Sequence, residues 1–393
     1  MRGARDASPT PMERRHDLDA LRGLMLVLMT FTHLPTRFAD PLGQPFGFVS
    51  AAEGFVMLSG FMAGLVYTGR ARRDGVPVMR EAFLKRALKI YVCQAALLMF
   101  LFTTVAVIGV MAEQHAVRDL MSFYLLRPKA ALVGSLMLIY NPPLLDILPL
   151  YIVFMLASPV LLLHGLRHGW GGILGASVAL WLAAQFDLGR AIYGVAVALT
   201  HLPIPFRETG AFEIFAWQFL WVLGLWMGSS RTEPGAPPTE FPRWLLRLAI
   251  GVALVCLVWR HAVGQTPWPG HEAVNLAFDK WHLGVLRLID FFALLVLAMH
   301  YGPALVRRLP RLRYLEVMGA ESLPVFCAHL VLALLVLAVA GAADAARAPW
   351  IDVAILVVSF AVLYLVALVS RRVDRYAAAL RARVKAEHSA YKP

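Results

Sequence analysis

Ten stretches of this chain are apolar, and most are nearly free of charge. They run over 18–35, 47–67, 86–111, 145–164, 171–187, 211–228, 243–259, 284–301, 319–340 and 350–370. Each is long enough, or nearly so, to cross a hydrocarbon core about 30 Å thick. The stretch 18–35 carries charge, and 171–187 and 243–259 are short. Segments 131–141 and 191–202 are candidates for partial or re-entrant helices. Hydrophobic residues make up 59% of the 393 residues, above the roughly 45–50% of soluble domains. In lipid a spanning segment must satisfy its own backbone, and strand alternation is absent. The chain therefore reads as all-α: a polytopic integral membrane helix bundle of about ten spans, forming one domain over 18–370.

Basic residues set the orientation. Arg70, Arg72, Arg73, Arg80, Lys85 and Arg86 fall in one connection, and Arg307, Arg308, Arg311 and Arg313 in another. Short loops rich in Lys and Arg stay cytoplasmic. An even span count then puts both tails, 1–17 and 371–393, inside. The first residues are polar and basic with no small-residue cleavage site, so they read as a tail and not a signal peptide. The net charge of +12 is a topology signal and an attraction to anionic lipid headgroups. It is scattered over loops, which argues against a nucleic-acid partner. Cys93, Cys256 and Cys327 all lie in apolar segments with no disulfide or metal spacing. No fixed-period repeat is present, and 233–242 is a turn-rich linker.

Polar residues inside spans carry the functional information. Arg22 and His33 share the first span. Eleven steps on a helix turn through about three full turns, so both face one way, roughly 16 Å apart along the axis. A central Arg costs roughly 3 kcal/mol to insert, so it needs partners or work. Asp19 precedes Arg22 by three and can pair with it locally; alternatively Arg22 snorkels to the inner headgroups. A neutral imidazole can take a proton from a hydroxyl near pH 7, although a lone His in a bundle also serves as packing. Glu53, on an antiparallel second helix, is expected near the depth of His33, where it can orient the ring or simply face its own helix dipole. Gly60 and Gly64 form a small-xxx-small face for close helix approach. Asp146 opens a helix as a cap or a site group. Trp217 can stack on a sugar or pack, and Gln218 can bond between helices. Arg287 and Asp290 can neutralise each other. His329 faces away from Glu321.

The pattern His16-Asp-Leu-Asp-Ala-Leu-Arg22-Gly followed by His33 resembles the opening of the membrane acyltransferase family three. Phe55-Val-Met-Leu-Ser59-Gly60-Phe and Gly319-Ala-Glu-Ser322-Leu-Pro-Val-Phe-Cys-Ala-His329 resemble its second-helix and late segments, with Phe326 and Cys327 departing from the usual aromatics. Closer is the OpgC branch, which Leu-Met-Thr-Phe-Thr-His33-Leu-Pro, Phe48-Val-Ser-Ala-Ala-Glu53-Gly-Phe-Val, Asp146-Ile-Leu-Pro-Leu-Tyr and Phe215-Ala-Trp217-Gln218 resemble. The resemblance implies a multi-pass protein of the bacterial inner membrane. It would move a succinyl or similar acyl group from cytoplasmic acyl-CoA, as co-substrate, to a periplasmic glucan hydroxyl. No bound cofactor or metal is expected. The resemblance makes His33 the base or acyl carrier. With the residue reading, it casts Glu53 as its partner, Arg22 and Asp19 as donor-binding, and Asp146, Trp217, Gln218, Ser59 and His329 as acceptor or supporting groups. The competing expectation is a glycan or lipid transporter or flippase whose path the buried charges line.

Overall fold

The computed structural model describes residues 16–233, 240–266, 268 and 270–390, with side chains as far as residue 384 in the last helix. Residues 1–15 of the tail expected over 1–17, and most of the linker 233–242, lie outside the described residues, while His16 and Asp17 open the first helix. Among those described there is no strand, only an isolated bridge between Phe46 and Val49.

Among the described residues, twelve of the helices form the frame of the bundle: α1 (His16–His33), α2 (Ala51–Asp74), α3 (Val76–Phe100), α4 (Ile147–His168), α5 (Gly171–Ala184), α6 (Leu188–Thr200), α7 (Ile214–Ser230), α8 (Arg243–Val263), α9 (Val285–Arg308), α10 (Arg313–Ala320), α11 (Ser322–Ala340) and α12 (Pro349–Ala390); short helices fill the connections. A π turn at Leu101–Val105 carries α3 on to Met111. The segment near 131–141 forms a short helix, Pro128–Leu136.

Among the described residues, seven of these are long and apolar enough to cross a membrane: α2, α3 with its extension, α4, α8, α9, α11 and α12. The protein is therefore a multi-pass membrane protein. The pair α5 and α6 bends by 78° and adds an eighth if read as one broken span. The stretch 191–202 is thus the second arm of that bent pair. The expected ten also included α1 and α7. α1 carries Asp17, Asp19 and Arg22 within 18 residues, and α7 has only 17 residues. α12 runs unbroken past residue 371 to Ala390, so the basic C-terminal segment continues a helix.

Two close approaches set the core. On α2, Gly60 and Gly64 lie against the backbone of Trp221 and Leu225 on α7; Gly224 and Gly228 on α7 lie against the backbone of Met57 and Phe61 in return. Any Cβ here would meet main chain, so the small-xxx-small face of α2 has a matching face on α7. The second approach joins α1 to α10. Gly23 sits on the Leu315 carbonyl and Gly319 on the Asp19 carbonyl. α1 buries Asp19, Gly23, Leu26 and Thr30, one stripe at helical spacing. α8, α9 and α12 lie outside this core and expose Leu254, Val258, Ile289, Leu305, Val357 and Leu365, the surface a lipid-facing helix needs.

Candidate active site

α11 continues α10 after a break at Glu321. Because Gly319 lets α10 touch α1, α11 then runs beside α1 in the same direction. Two polar rungs result. Arg22 donates from Nη2 to the Ser322 hydroxyl. Further along, His33 Nδ1 meets His329 Nε2 at 2.8 Å, with the rings stacked at 5.1 Å. The third motif thus has a physical role: its glycine brings the helices together, and its serine and histidine meet the arginine and histidine of the first. His329 is buried and its Nδ1 has no partner. His33 is half-buried, and its Nε2 makes no hydrogen bond among the described residues.

Below the histidines lies a cavity of about 190 Å³ lined by Arg22, Ser59, Tyr67, Arg86, Tyr151, Ser322 and Phe326, among others. Tyr151 donates to the Phe55 carbonyl at 3.1 Å and to Ser59 Oγ at 3.2 Å. Phe326 stacks on Phe55 with ring centres 6.0 Å apart and puts its edge or face against His329 at 4.8 Å. The cavity therefore ends one aromatic ring away from the imidazole pair. Arg22 and Arg86 supply two cations to its walls.

Glu53 does not orient His33. It is completely buried, takes Arg287 Nη1 at 2.6 Å, and accepts from the Ser50 amide at 3.0 Å and the Ser50 hydroxyl in a capping box. A buried carboxylate needs a cation and hydrogen bonds, and Arg287, on α9, provides the cation. Arg287 and Asp290 therefore do not neutralise each other as a pair. Asp290 instead accepts from the Phe48 amide at 2.9 Å. The imidazole partner of His33 is the ring of His329, and Glu321 accepts from Ser370 at 2.9 Å.

Other expected site residues are structural. Asp146 does not cap α4 with its side chain; Oδ2 accepts from the Ala211 amide at 3.0 Å and holds the loop before α7. Trp217 is fully buried and cannot stack on a sugar. Its Nε1 donates to the Trp281 carbonyl at 3.0 Å. Gln218 bonds Ser177 twice across α5 and α7, at 2.7 and 2.8 Å. Asp19 is buried where α1 meets α10.

The sequence reading passed over the connection before α9. Trp217 and the Glu213 amide hold the Trp281 carbonyl, Gln185 holds that of His282, Trp181 that of Leu283 and Arg287 that of Phe278. Five anchors fix a loop that presents Lys280, Trp281 and His282. His282 Nδ1 meets Asp279 Oδ2 at 2.7 Å. That hydrogen bond raises the His282 pKa above its ordinary value, against the opposing effect of burial. Burial pushes Asp279 up, but its hydrogen bonds from His282 outweigh this and leave it below the usual carboxylate value. Lys280 Nζ lies over the rings of Trp281 and Phe212 at 4.8 and 5.9 Å. Burial draws its pKa below the ordinary lysine value. His33 and Glu53 are both within its electrostatic range.

At the end of α1, Asp352 is completely buried between Arg37 Nε at 3.0 Å and Arg347 Nη1 at 3.1 Å. Arg347 also donates to the Pro35 carbonyl at 2.9 Å. This clamp starts two residues beyond His33 and fixes where the ring sits.

A protein-family model described as OpgC protein matches residues 14–375, nearly the whole chain. The chain belongs to the OpgC family. No curated protein and no solved structure matches it. Membership in the OpgC family associates the chain with modification of osmoregulated periplasmic glucans. Two of the motifs quoted above converge in this OpgC-family fold on the Arg22–Ser322 and His33–His329 rungs.

Proposed function

We propose that the protein is an inner-membrane O-acyltransferase. It moves a succinyl or similar acyl group from cytoplasmic acyl-CoA to a hydroxyl of a periplasmic glucan. The observation that carries this reading is the His33–His329 imidazole pair, which lies one aromatic ring beyond an arginine-lined cavity. A bundle interior is a costly place for two histidines and an arginine, and the α1–α11 alignment holds all three in one line. The proposed topology has ten spans, with α1 and α7 included and both termini inside.

In this mechanism the acyl thioester enters from the Arg22 and Arg86 side, where guanidinium groups suit phosphate or carboxylate oxygens. The acceptor hydroxyl approaches His33 from the opposite side. For Nε2 to serve as base, the neutral ring of His33 carries its hydrogen on Nδ1 and donates it to His329 Nε2. The hydroxyl oxygen attacks the thioester carbonyl while Nε2 takes its proton. The carbon–sulfur bond breaks as the ester forms, and the CoA thiolate leaves, taking up the proton. His329 keeps the His33 tautomer fixed and accepts from the imidazolium while it exists, a role that a carboxylate plays in hydrolase triads.

The test is mass analysis of periplasmic glucans from cells with and without the protein, and with His33→Ala. The wild type should add an acyl mass to the glucans and consume acyl-CoA. His33→Ala should reduce acylation by about 10²–10⁴-fold at equal membrane abundance. Unacylated glucans in wild-type cells, or undiminished acylation by His33→Ala, would refute the reading.

A further inference from the structure

Phe326 stands between the arginine-lined cavity and the imidazole pair. On α11 it follows Ser322 by four residues and precedes His329 by three, so the three side chains share one face of the helix. Ser322 and Phe326 line the cavity, whereas neither His33 nor His329 is among its lining residues. The Phe326 side chain is 2% exposed. It borders the cavity on one side, and on the other its ring centre lies 4.8 Å from that of His329. Phe55 closes the same end from α2. It stacks on Phe326 at 6.0 Å and is backed by Tyr151, also at 6.0 Å. On α1 the buried positions between Arg22 and His33 are Leu26, Met29 and Thr30, and the Thr30 hydroxyl is spent on the Leu26 carbonyl at 2.8 Å. The wall between cavity and histidines is therefore apolar, and a single phenyl ring spans it from the cavity to His329.

The two sides of this ring have opposite needs. A thioester is an activated donor. His33 is half-buried, with an Nε2 that makes no hydrogen bond among the described residues, and such a base serves water as well as a sugar hydroxyl. A thioester left open to it would be hydrolysed: the water oxygen attacks the carbonyl carbon, Nε2 takes a water proton, the carbon–sulfur bond breaks, and a free acid and the CoA thiol result. Closed sites prevent such loss by keeping water from the reactive bond. We propose that Phe326 closes the donor cavity. Its ring shields the thioester from His33 and from water that His33 activates, and it turns aside for transfer. A change of one side-chain rotamer is the smallest movement that joins the cavity to the imidazoles. This inference rests on the transferase reading above.

The test uses the full-length protein in detergent, with succinyl-CoA as donor and a periplasmic glucan as acceptor. Two products are followed: the CoA thiol released with and without glucan, and the ester on the glucan, counted by mass. In the wild type, thiol release should depend on glucan. Phe326→Ala and Phe326→Leu should raise glucan-independent release by about 10–100-fold, the discrimination that one apolar contact in a pocket supplies. Phe326→Tyr keeps the ring and should keep the wild-type dependence. Thermal melting verifies each fold, and the Leu variant serves if the Ala variant does not fold. Adding His33→Ala to the leaking variant should abolish the leak, an outcome that general loosening of the bundle would not give. Release at the wild-type level in a folded Leu or Ala variant overturns the proposal, while intact glucan esterification in the same samples leaves the transferase reading standing. A leak that persists without His33 also overturns it. If the wild type esterifies no glucan, the transferase reading fails first, and the role of Phe326 falls with it.

Discussion

The Glu53–Arg287 pair gives the sharpest energetic prediction. Its side chains are 0% and 3% exposed, so solvent screens it little. Glu53→Gln keeps the shape and an acceptor for the Ser50 amide, but leaves the Arg287 guanidinium buried without a counter-ion. Breaking one side of a buried pair costs about 3–5 kcal/mol. For a chain of this length that corresponds to a fall in Tm of about 4–6 °C. Arg287→Met should do similar damage by stranding the carboxylate. The double variant Glu53→Gln with Arg287→Met removes both charges and should recover most of the loss, because the desolvation penalty goes with them. The assay is thermal unfolding of detergent-solubilised protein followed by tryptophan fluorescence, with acyl transfer measured in parallel. A Glu53→Gln variant as stable as wild type yet inactive would refute the structural assignment and return Glu53 to the chemistry. A double variant no better than the sum of the singles would show that the pair is uncoupled.

Three further outcomes follow. His329→Leu removes the acceptor for His33 Nδ1 and should slow transfer by about 10–100-fold, since that bond serves a charged ring in the transition state; an undiminished rate would separate His329 from catalysis. The Asp279–His282 dyad should stabilise the α9 entry loop in a defined window. The raised His282 pKa contributes below the ordinary 6.5 and is lost as pH rises through the raised value, while the lowered Asp279 pKa contributes above the ordinary 3.8 and is lost as pH falls through the lowered value. Thermal melts from about pH 5 to about pH 9 should therefore show wild-type stability declining on the alkaline side, with Asp279→Asn flattening that decline. Finally, Arg311→Cys in a background without native cysteines should resist a membrane-impermeant thiol reagent in intact cells, because the proposed topology puts the arginine-rich connection 302–316 inside; ready labelling would overturn that orientation.

Local chemistry was legible in the sequence, and long-range pairing was not. Length and apolarity marked the spanning helices, and helical phase put Arg22 and His33 on one side of α1. The glycine face of α2 was visible as a close-approach surface. What failed was partner choice. Glu53 and His33 were expected at similar depth, but Glu53 found Arg287, 234 positions away. Depth alone does not choose a partner when several polar groups share a level. A usable signal was present for the imidazole pair. Ser322 and His329 are seven apart, nearly two turns, so they share a face as Arg22 and His33 do. Two helices carrying the same ordered pattern can dock in parallel and match rung for rung. Trp217 and Asp146 stayed open between site and structural readings for another reason: an indole or carboxylate that tethers a distant loop looks, along the sequence, like one awaiting a ligand. The anchored loop before α9 gave no signal, because its tethers are backbone carbonyls that no side-chain pattern announces.

The glycine contacts between α2 and α7 reach beyond packing. Four positions without side chains interlock over two helices, each resting on the other's main chain. Sliding or turning either rod by one residue would push a side chain into a backbone that has no room to give. The wall bearing Glu53, Phe55 and Ser59 is therefore a keel, fixed to α7 along its length. Carriers move cargo by rocking one half of a bundle against the other, and this seam keeps α2 and α7 in the same half. A hinge between them is ruled out, and any bending of the bundle must divide it along another face.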